Sequence, residues 1–263
     1  MSDRHGLLLL QAIGLIVTVG VSTSACAGSL GIGGDSWKEE VLLHDGSKMI
    51  VERSQRYGGR HEIGQPPPIK EHTIVFTLPG TDKRIAWTSE YGKDIGRTDF
   101  ILLAVHVLNG TPYIVAEPNL CLSFNKWGRP NPPYVFFKYD GKGWQRIPLE
   151  EFPVEFKTIN VTLTLGRRDV EAMVRLGLVP SENIKERNSR LKQPEHKTIL
   201  REAVKPGSLG SAVNCEEMFS DGKGGWLGAG WFKHPTQEAC LQFCSRKGIA
   251  AEFCKCRISK QGE

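Results

Sequence analysis

The chain has 263 residues, 40% of them hydrophobic, and its 34 Lys and Arg against 29 Asp and Glu leave a net charge of +5. That length and apolar share suit one main domain with a real core and a small appendage. The surplus is mild, and over residues 166–205, where ten Lys and Arg face six Asp and Glu, carboxylates interrupt any basic stripe, so no nucleic-acid partner is expected.

Residues 6–21 form an almost unbroken apolar run behind Asp3, Arg4 and His5, and the run dissolves into Ser22, Thr23, Ser24, Ala25 and Cys26. Crossing a bilayer as a helix takes ~20 apolar residues. This run is shorter, contains Gln11 and Gly14 and lacks a basic stop-transfer flank, so residues 1–25 read as a cleaved signal peptide. Two cleavages compete. The small residues Ala25, Cys26 and Ala27 suit ordinary signal peptidase, which would release a soluble periplasmic protein with one spare thiol. Thr23-Ser24-Ala25-Cys26 resembles the bacterial lipobox, with Thr23 in place of the usual Leu. That resemblance implies lipidation of Cys26, which becomes residue one. With Ala27 rather than Asp next, it also implies the periplasmic face of the outer membrane. Lipidation accounts for the cysteine count, because seven less Cys26 leaves six for pairing. Residues 26–36 then form a flexible tether.

Residues 37–205 read as a β-rich domain. Trp37, Val41 and Leu43 alternate with Lys38 and Glu40, and Asp45-Gly46 turns the chain back through residues 49–52. Ile74, Phe76 and Leu78 share one face, and Pro79-Gly80 links them to Ile85 and Trp87. Residues 101–108 and 111–116 flank Asn109-Gly110, the strongest short hairpin signal. Residues 134–139 and 144–147 flank Asp140-Gly141. Eight strands in hairpins starting near 37, 72, 101 and 134 predict a mainly β fold, a sandwich or open barrel. The turn over residues 139–144 resembles one in β-propeller blades, but eight strands are half of what the smallest propeller needs. Pro66-Pro67-Pro68 is a stiff connector.

Residues 158–165 read as a further strand, and residues 168–176 and 181–191 as helices lying on the body, with Ser181 as an N-cap. A linker at residues 206–211 opens a cysteine-rich αβ module over 206–263. Thr236 caps a helix that sets Cys240 and Cys244 one turn apart, about 6 Å along the axis. Gly248 stops that helix, and residues 251–258 read as a strand with Cys254 and Cys256 on one side, about 6.6 Å apart. This C-x3-C and C-x-C spacing is similar to the cysteine-stabilised αβ motif of defensins and scorpion toxins. Those families place another strand between helix and C-x-C strand. Nine residues here leave room for little more than a turn, which makes the strand antiparallel and predicts nested pairing, Cys244 with Cys254 and Cys240 with Cys256. Cys121 with Cys215 completes the set. Zinc is the rival reading of four clustered cysteines, but structural zinc sites favour C-x2-C knuckles and export favours oxidation, so no metal is expected.

No nucleophile elbow, phosphate loop, dinucleotide fingerprint or His-Glu-x-x-His is present. His44, His61, His72 and His106 are scattered and read as satisfied or solvated side chains, and Glu150-Glu151 would point opposite ways in an extended chain. No catalytic residue or cofactor is expected. The best candidate surface is residues 121–134, where Asn125, Trp127, Arg129, Asn131 and Tyr134 lie on a stretch stiffened by three prolines. Rigid aromatics and planar donors there suit a glycan or peptide; the structural alternative has Trp127 capping the core and the prolines shaping an edge connection. Residues 127–142 resemble a family of predicted bacterial exported lipoproteins, which implies a compartment and no particular mechanism. The leading expectation is a non-catalytic envelope lipoprotein that binds or scaffolds a protein or surface polymer. The alternatives are a periplasmic hydrolase of envelope polymers, its groups converging from separate loops, and an immunity or inhibitor protein.

Overall fold

The computed structural model describes residues 34–258 except 90, 164, 165, 208 and 209. Cys26, the expected signal peptide and most of the expected tether lie outside the described residues. β1 (Asp35–Leu42) and β2 (Lys48–Tyr57) meet at the expected turn, where the Asp45 carboxylate accepts from the Ser47 amide at 2.9 Å and Gly46 takes φ +85°. β3 (Ile69–Thr77) and β4 (Arg84–Ser89) extend the antiparallel sheet in the order β1-β2-β3-β4. The two-residue pair β5 (Tyr91–Gly92) and β6 (Arg97–Thr98) follows. β7 (Phe100–Leu108) and β8 (Thr111–Pro118) turn at Asn109 and Gly110, both at the positive φ a primed turn requires. After α1 (Leu120–Lys126), β9 (Val135–Tyr139) and β10 (Trp144–Ile147) complete a second sheet, β10-β9-β8-β7.

The fold is mainly β, and the two sheets share one core. Val41, Val51, Ile74, Phe76 and Trp87 of the first sheet cluster with Phe100, Leu102, Val105, Ile114 and Val135 of the second, the arrangement of a β-sandwich. The second sheet has a covered outer face as well. Leu103, Tyr113, Val115 and Phe136 pack under Phe152, Phe156, Ile159, Leu163 and Ile199. Burial on both faces explains why β7 and β8 read as continuous apolar runs rather than alternating strands.

The cover itself corrects one expectation. Of the strand expected over 158–165, the described residues 158–163 form none; among them only Thr158 makes a single bridge, to Thr198. The Asn160 side chain takes over what strand pairing would have done. Its Oδ1 accepts from the Val105 amide at 3.0 Å and its Nδ2 donates to the Val105 carbonyl at 2.7 Å and the Leu42 carbonyl at 3.1 Å. One side-chain amide thus docks the segment on β7, beside the bulge at Leu102/Ala104.

α2 (Arg167–Leu176) leads through β11 (Leu178–Val179), which adds to β1 in parallel, into α3 (Ser181–Ser189). Val170, Met173, Val179 and Ile184 close over Trp37. Ser181 is not the N-cap. Pro180 holds that position, and the Ser181 hydroxyl instead donates to Glu40 at 2.9 Å, pinning the helix start to β1.

The C-terminal module holds β12 (Met218–Ser220), β13 (Trp226–Gly228), a 3-10 turn over Ala229–Phe232, β14 (Lys233–His234), α4 (Gln237–Lys247) and β15 (Arg257–Ile258). The Thr236 hydroxyl accepts from the Ala239 amide at 3.1 Å and Gly248 stops α4 at φ +64°, as the sequence predicts. The expected strand over 251–258 is mostly absent. A 3-10 turn, Ala251–Phe253, reverses the chain, and only Arg257–Ile258 is extended, pairing in parallel with β14. Cys254 and Cys256 therefore reach α4 from the irregular stretch after that turn, as Cys244–Cys254 and Cys240–Cys256. Phe232, Phe243 and Ile249 fill the small core around these bridges.

Candidate functional site

The loop singled out in the sequence faces inward, onto the chain's own C-terminal half. Asn125, near the end of α1, donates to the Cys121 carbonyl at 2.8 Å and the Glu216 carbonyl at 2.9 Å, and accepts from the Met218 amide at 2.9 Å. Arg129 donates to the Cys215 carbonyl at 2.8 Å and lies 5.1 Å over the Phe124 ring. Asn131 exchanges two bonds with the Val204 backbone, at 3.0 and 2.7 Å. The buried Tyr134 hydroxyl donates towards the carbonyls of Glu195 and Thr198, and burial raises its pKa. Trp127 packs on Phe100 with ring centroids 4.5 Å apart and points its indole N–H at Asp99, 3.3 Å away.

Four of the five residues, Asn125, Arg129, Asn131 and Tyr134, thus do the same work, while Trp127 packs on the core. The four supply donors and acceptors to the backbone between residues 195 and 218, whose described residues have little secondary structure of their own. The Cys121–Cys215 bridge, closing a sequence separation of 94, fastens the same junction covalently. Planar side chains suited to gripping a foreign peptide grip an internal one.

A second cluster lies beside that bridge. A cleft of about 400 Å3 is lined by Glu117, Glu195, His196, Ser211 and the disulfide. His196 Nε2 sits 2.7 Å from Glu117. Burial works against the charged ring, but the hydrogen bond and charge of Glu117, with Glu195 adding to it, hold the His196 pKa above its ordinary value. Among the described residues the buried Ser211 hydroxyl has no hydrogen-bond partner, so none of the bonds there joins it to His196 as a nucleophile to its base. The pair ties residues 194–198 to β8.

The surface with outward chemistry belongs to the cystine module, and the sequence reading passed over it. In the turn Ala229–Phe232, Phe232 is wholly buried whereas its neighbour Trp231 is 56% exposed. Trp231 is nearly parallel to Phe243, at 6.2 Å and 21°. His234 lies 5.2 Å from the same Phe243 ring, and its Nε2 is 3.2 Å from the Trp231 carbonyl, an acceptor, so that nitrogen carries the proton. Lys247 holds its ammonium 5.7 Å from the Trp231 ring. Trp231, His234 and Phe243 border, with Glu216, Gly230 and Lys233, an open hollow of about 470 Å3. Glu216 is placed by a glycine: a Cβ on Gly228 would come within 2.3 Å of its carboxylate oxygen.

The frame behind this shelf is rigid for a reason visible in the spacing. Phe243 stands on α4 between Cys240 and Cys244, whose bridges run to Cys256 and Cys254, and the strand that follows Cys256 pairs with the strand carrying Lys233 and His234. The four sulfurs lie within 4.8 Å of one another, and as cystines they offer no thiolate to a metal. A tryptophan next to a glycine, outside any alternating pattern and inside a cysteine-bounded segment, is the signal that could have found the shelf.

No protein-family model, curated protein or solved structure matches this chain.

Proposed function

We propose that the protein is a non-catalytic binding protein of the bacterial envelope, exported, lipid-anchored through Cys26, and holding a glycan polymer on the Trp231 shelf. The observation that carries this reading is the exposure of Trp231 above a buried, disulfide-framed Phe243. Leaving an indole in water forgoes the ~1.5–3 kcal/mol that burying a large apolar side chain contributes, and a ring held still by stacking loses little entropy on binding. The electron-rich face of an indole attracts the weakly positive C–H groups on the flat side of a pyranose. Glu216 and Lys233 at the rim provide an acceptor and a donor for hydroxyls. A shelf one indole wide fits a sugar ring better than a protein partner, whose stable interfaces bury on the order of 1,200–2,000 Å2. The Lys247 side chain is long and flexible enough to swing aside.

Co-sedimentation of the purified protein with peptidoglycan sacculi tests the site. The intact protein is expected in the pellet, and Trp231→Ala is expected to stay soluble while keeping its thermal midpoint. Equal sedimentation of both proteins would remove the shelf from the account. Capture of a protein instead of a glycan in crosslinked envelopes would favour a scaffolding role.

A further inference from the structure

A cleft that shares no residue with the Trp231 shelf lies between α3 and the segments 158–160 and 197–198. We propose that it binds a single-chain aliphatic anion carrying a hydroxyl or amide N–H close to its charged end. The cleft encloses about 550 Å3, inside the ~300–1,000 Å3 range of small-molecule sites. Its wall is apolar where Ile159, Ile184 and the end of β1 at Leu42 meet, and Leu42 is 40% exposed. Ile159 and Ile184 are buried, so an alkyl chain laid along this wall would take chiefly the Leu42 surface out of water.

The polar groups around the cleft are one-sided. Lys185 and Lys197 line it, both exposed, and among the described residues neither is paired with a carboxylate; no Asp or Glu is in the lining. Two unneutralised ammonium groups at the mouth of an apolar cleft complement an anionic head. Asn188 adds a requirement. It is 4% exposed, and its Nδ2 donates to the Val161 carbonyl at 2.9 Å. A carbonyl only accepts, so the amide cannot be flipped, and its buried Oδ1 has no partner among the described residues. A ligand hydroxyl or amide N–H would supply the missing donor. A simple alkane satisfies neither the lysines nor Asn188, and a dianionic phosphate without a chain leaves Leu42 wet.

Isothermal titration of the mature, oxidised protein with 3-hydroxydecanoate, decanoate and decanol tests the assignment. Saturable one-to-one binding is expected for both acids, with 3-hydroxydecanoate the tighter and decanol at least tenfold weaker than either. The pair Lys185→Gln with Lys197→Gln, at exposed positions that leave the fold intact, should cut acid affinity at least tenfold and leave decanol unchanged. Ser189→Trp, which fills the mouth, should abolish all three. No saturable binding of either acid, or acids and alcohol binding alike with the lysine variants unaltered, overturns the proposal. Equal affinity for the two acids overturns the role given to Asn188.

Discussion

Arg53 and Glu39 face each other across β2 and β1 at 3.1 Å with both side chains shut away from solvent, at 1% and 0% exposure. The carboxylate also accepts from the Trp37 indole at 2.7 Å and the Thr162 amide at 3.0 Å, and the guanidinium donates to the Thr162 carbonyl at 3.1 Å. One ion pair therefore stitches the first sheet to the irregular cover of the second. Removing one partner strands a buried charge, which costs ~3–5 kcal/mol. Arg53→Met should lower stability by that order in urea titrations, and Arg53→Met combined with Glu39→Leu should lower it by less than Arg53→Met alone. Additive losses would show that the two residues are not coupled.

Acid should destabilise the protein through two buried histidines. Burial, then the Arg53 charge, lowers the His72 pKa to about 4, and burial lowers that of His106 to about 4, from 6.5. The neutral rings bond to the Phe100 and Thr158 carbonyls, and His106 stacks on Phe156 at 4.6 Å. Between pH 6.5 and 4 the unfolded chain binds the additional protons, so stability falls as pH falls across that window, by roughly 1.4 kcal/mol per pH unit per histidine at its steepest. His196 acts with the opposite sign, since its raised pKa adds stability below pH 6.5 that fades as pH rises through the folded value. Thermal midpoints from pH 7 to 4.5 should fall, and His106→Leu should flatten the slope.

Asn125→Ala should behave as a structural lesion. The backbone groups of Cys121, Glu216 and Met218 lose their side-chain partner, at about 1–3 kcal/mol for those left unsatisfied. Chemical denaturation should register the loss and sacculus binding should not change. Full stability in the variant would return the loop to candidacy as a ligand surface.

Opening the cystine frame should damage binding before it damages the sandwich. Cys240→Ser with Cys256→Ser releases a bridge of sequence separation 16, worth ~3 kcal/mol in the chain-entropy model. Hydrogen exchange should rise over residues 231–258 and stay low in β7 and β8. Faster exchange throughout would mean that the module supports the body rather than the shelf.

The hairpins at Asp45-Gly46, Asn109-Gly110 and Asp140-Gly141 were legible because turn chemistry is local. Gly141 takes φ +96°, and the Asp140 carboxylate accepts from the Gly143 amide at 2.8 Å. The helix and cysteine pairing of the tail were legible for a similar reason, since helix rise and a short connection limit which cysteines can meet, though the strand expected over 251–258 shrank to Arg257–Ile258. What depends on distant partners was not. Nothing near Asn160 says that its amide will dock on Val105 and make a strand unnecessary, and Glu39 and Arg53 look like surface charges until α2, α3 and Thr162 close over them. Asn125, Arg129 and Tyr134 were recognisable as gripping side chains, but the object they grip lies 61 to 93 residues downstream. Trp231 was overlooked because exposure is a property of the fold.

Sedimentation with sacculi, run side by side on Trp231→Ala and Trp127→Ala, separates the outward indole from the inward one. We predict that Trp127→Ala unfolds at lower urea yet still pellets with the glycan when folded, whereas Trp231→Ala keeps its urea midpoint and stays in the supernatant. The reverse pattern, retention by Trp231→Ala and loss by a stably folded Trp127→Ala, would contradict the account.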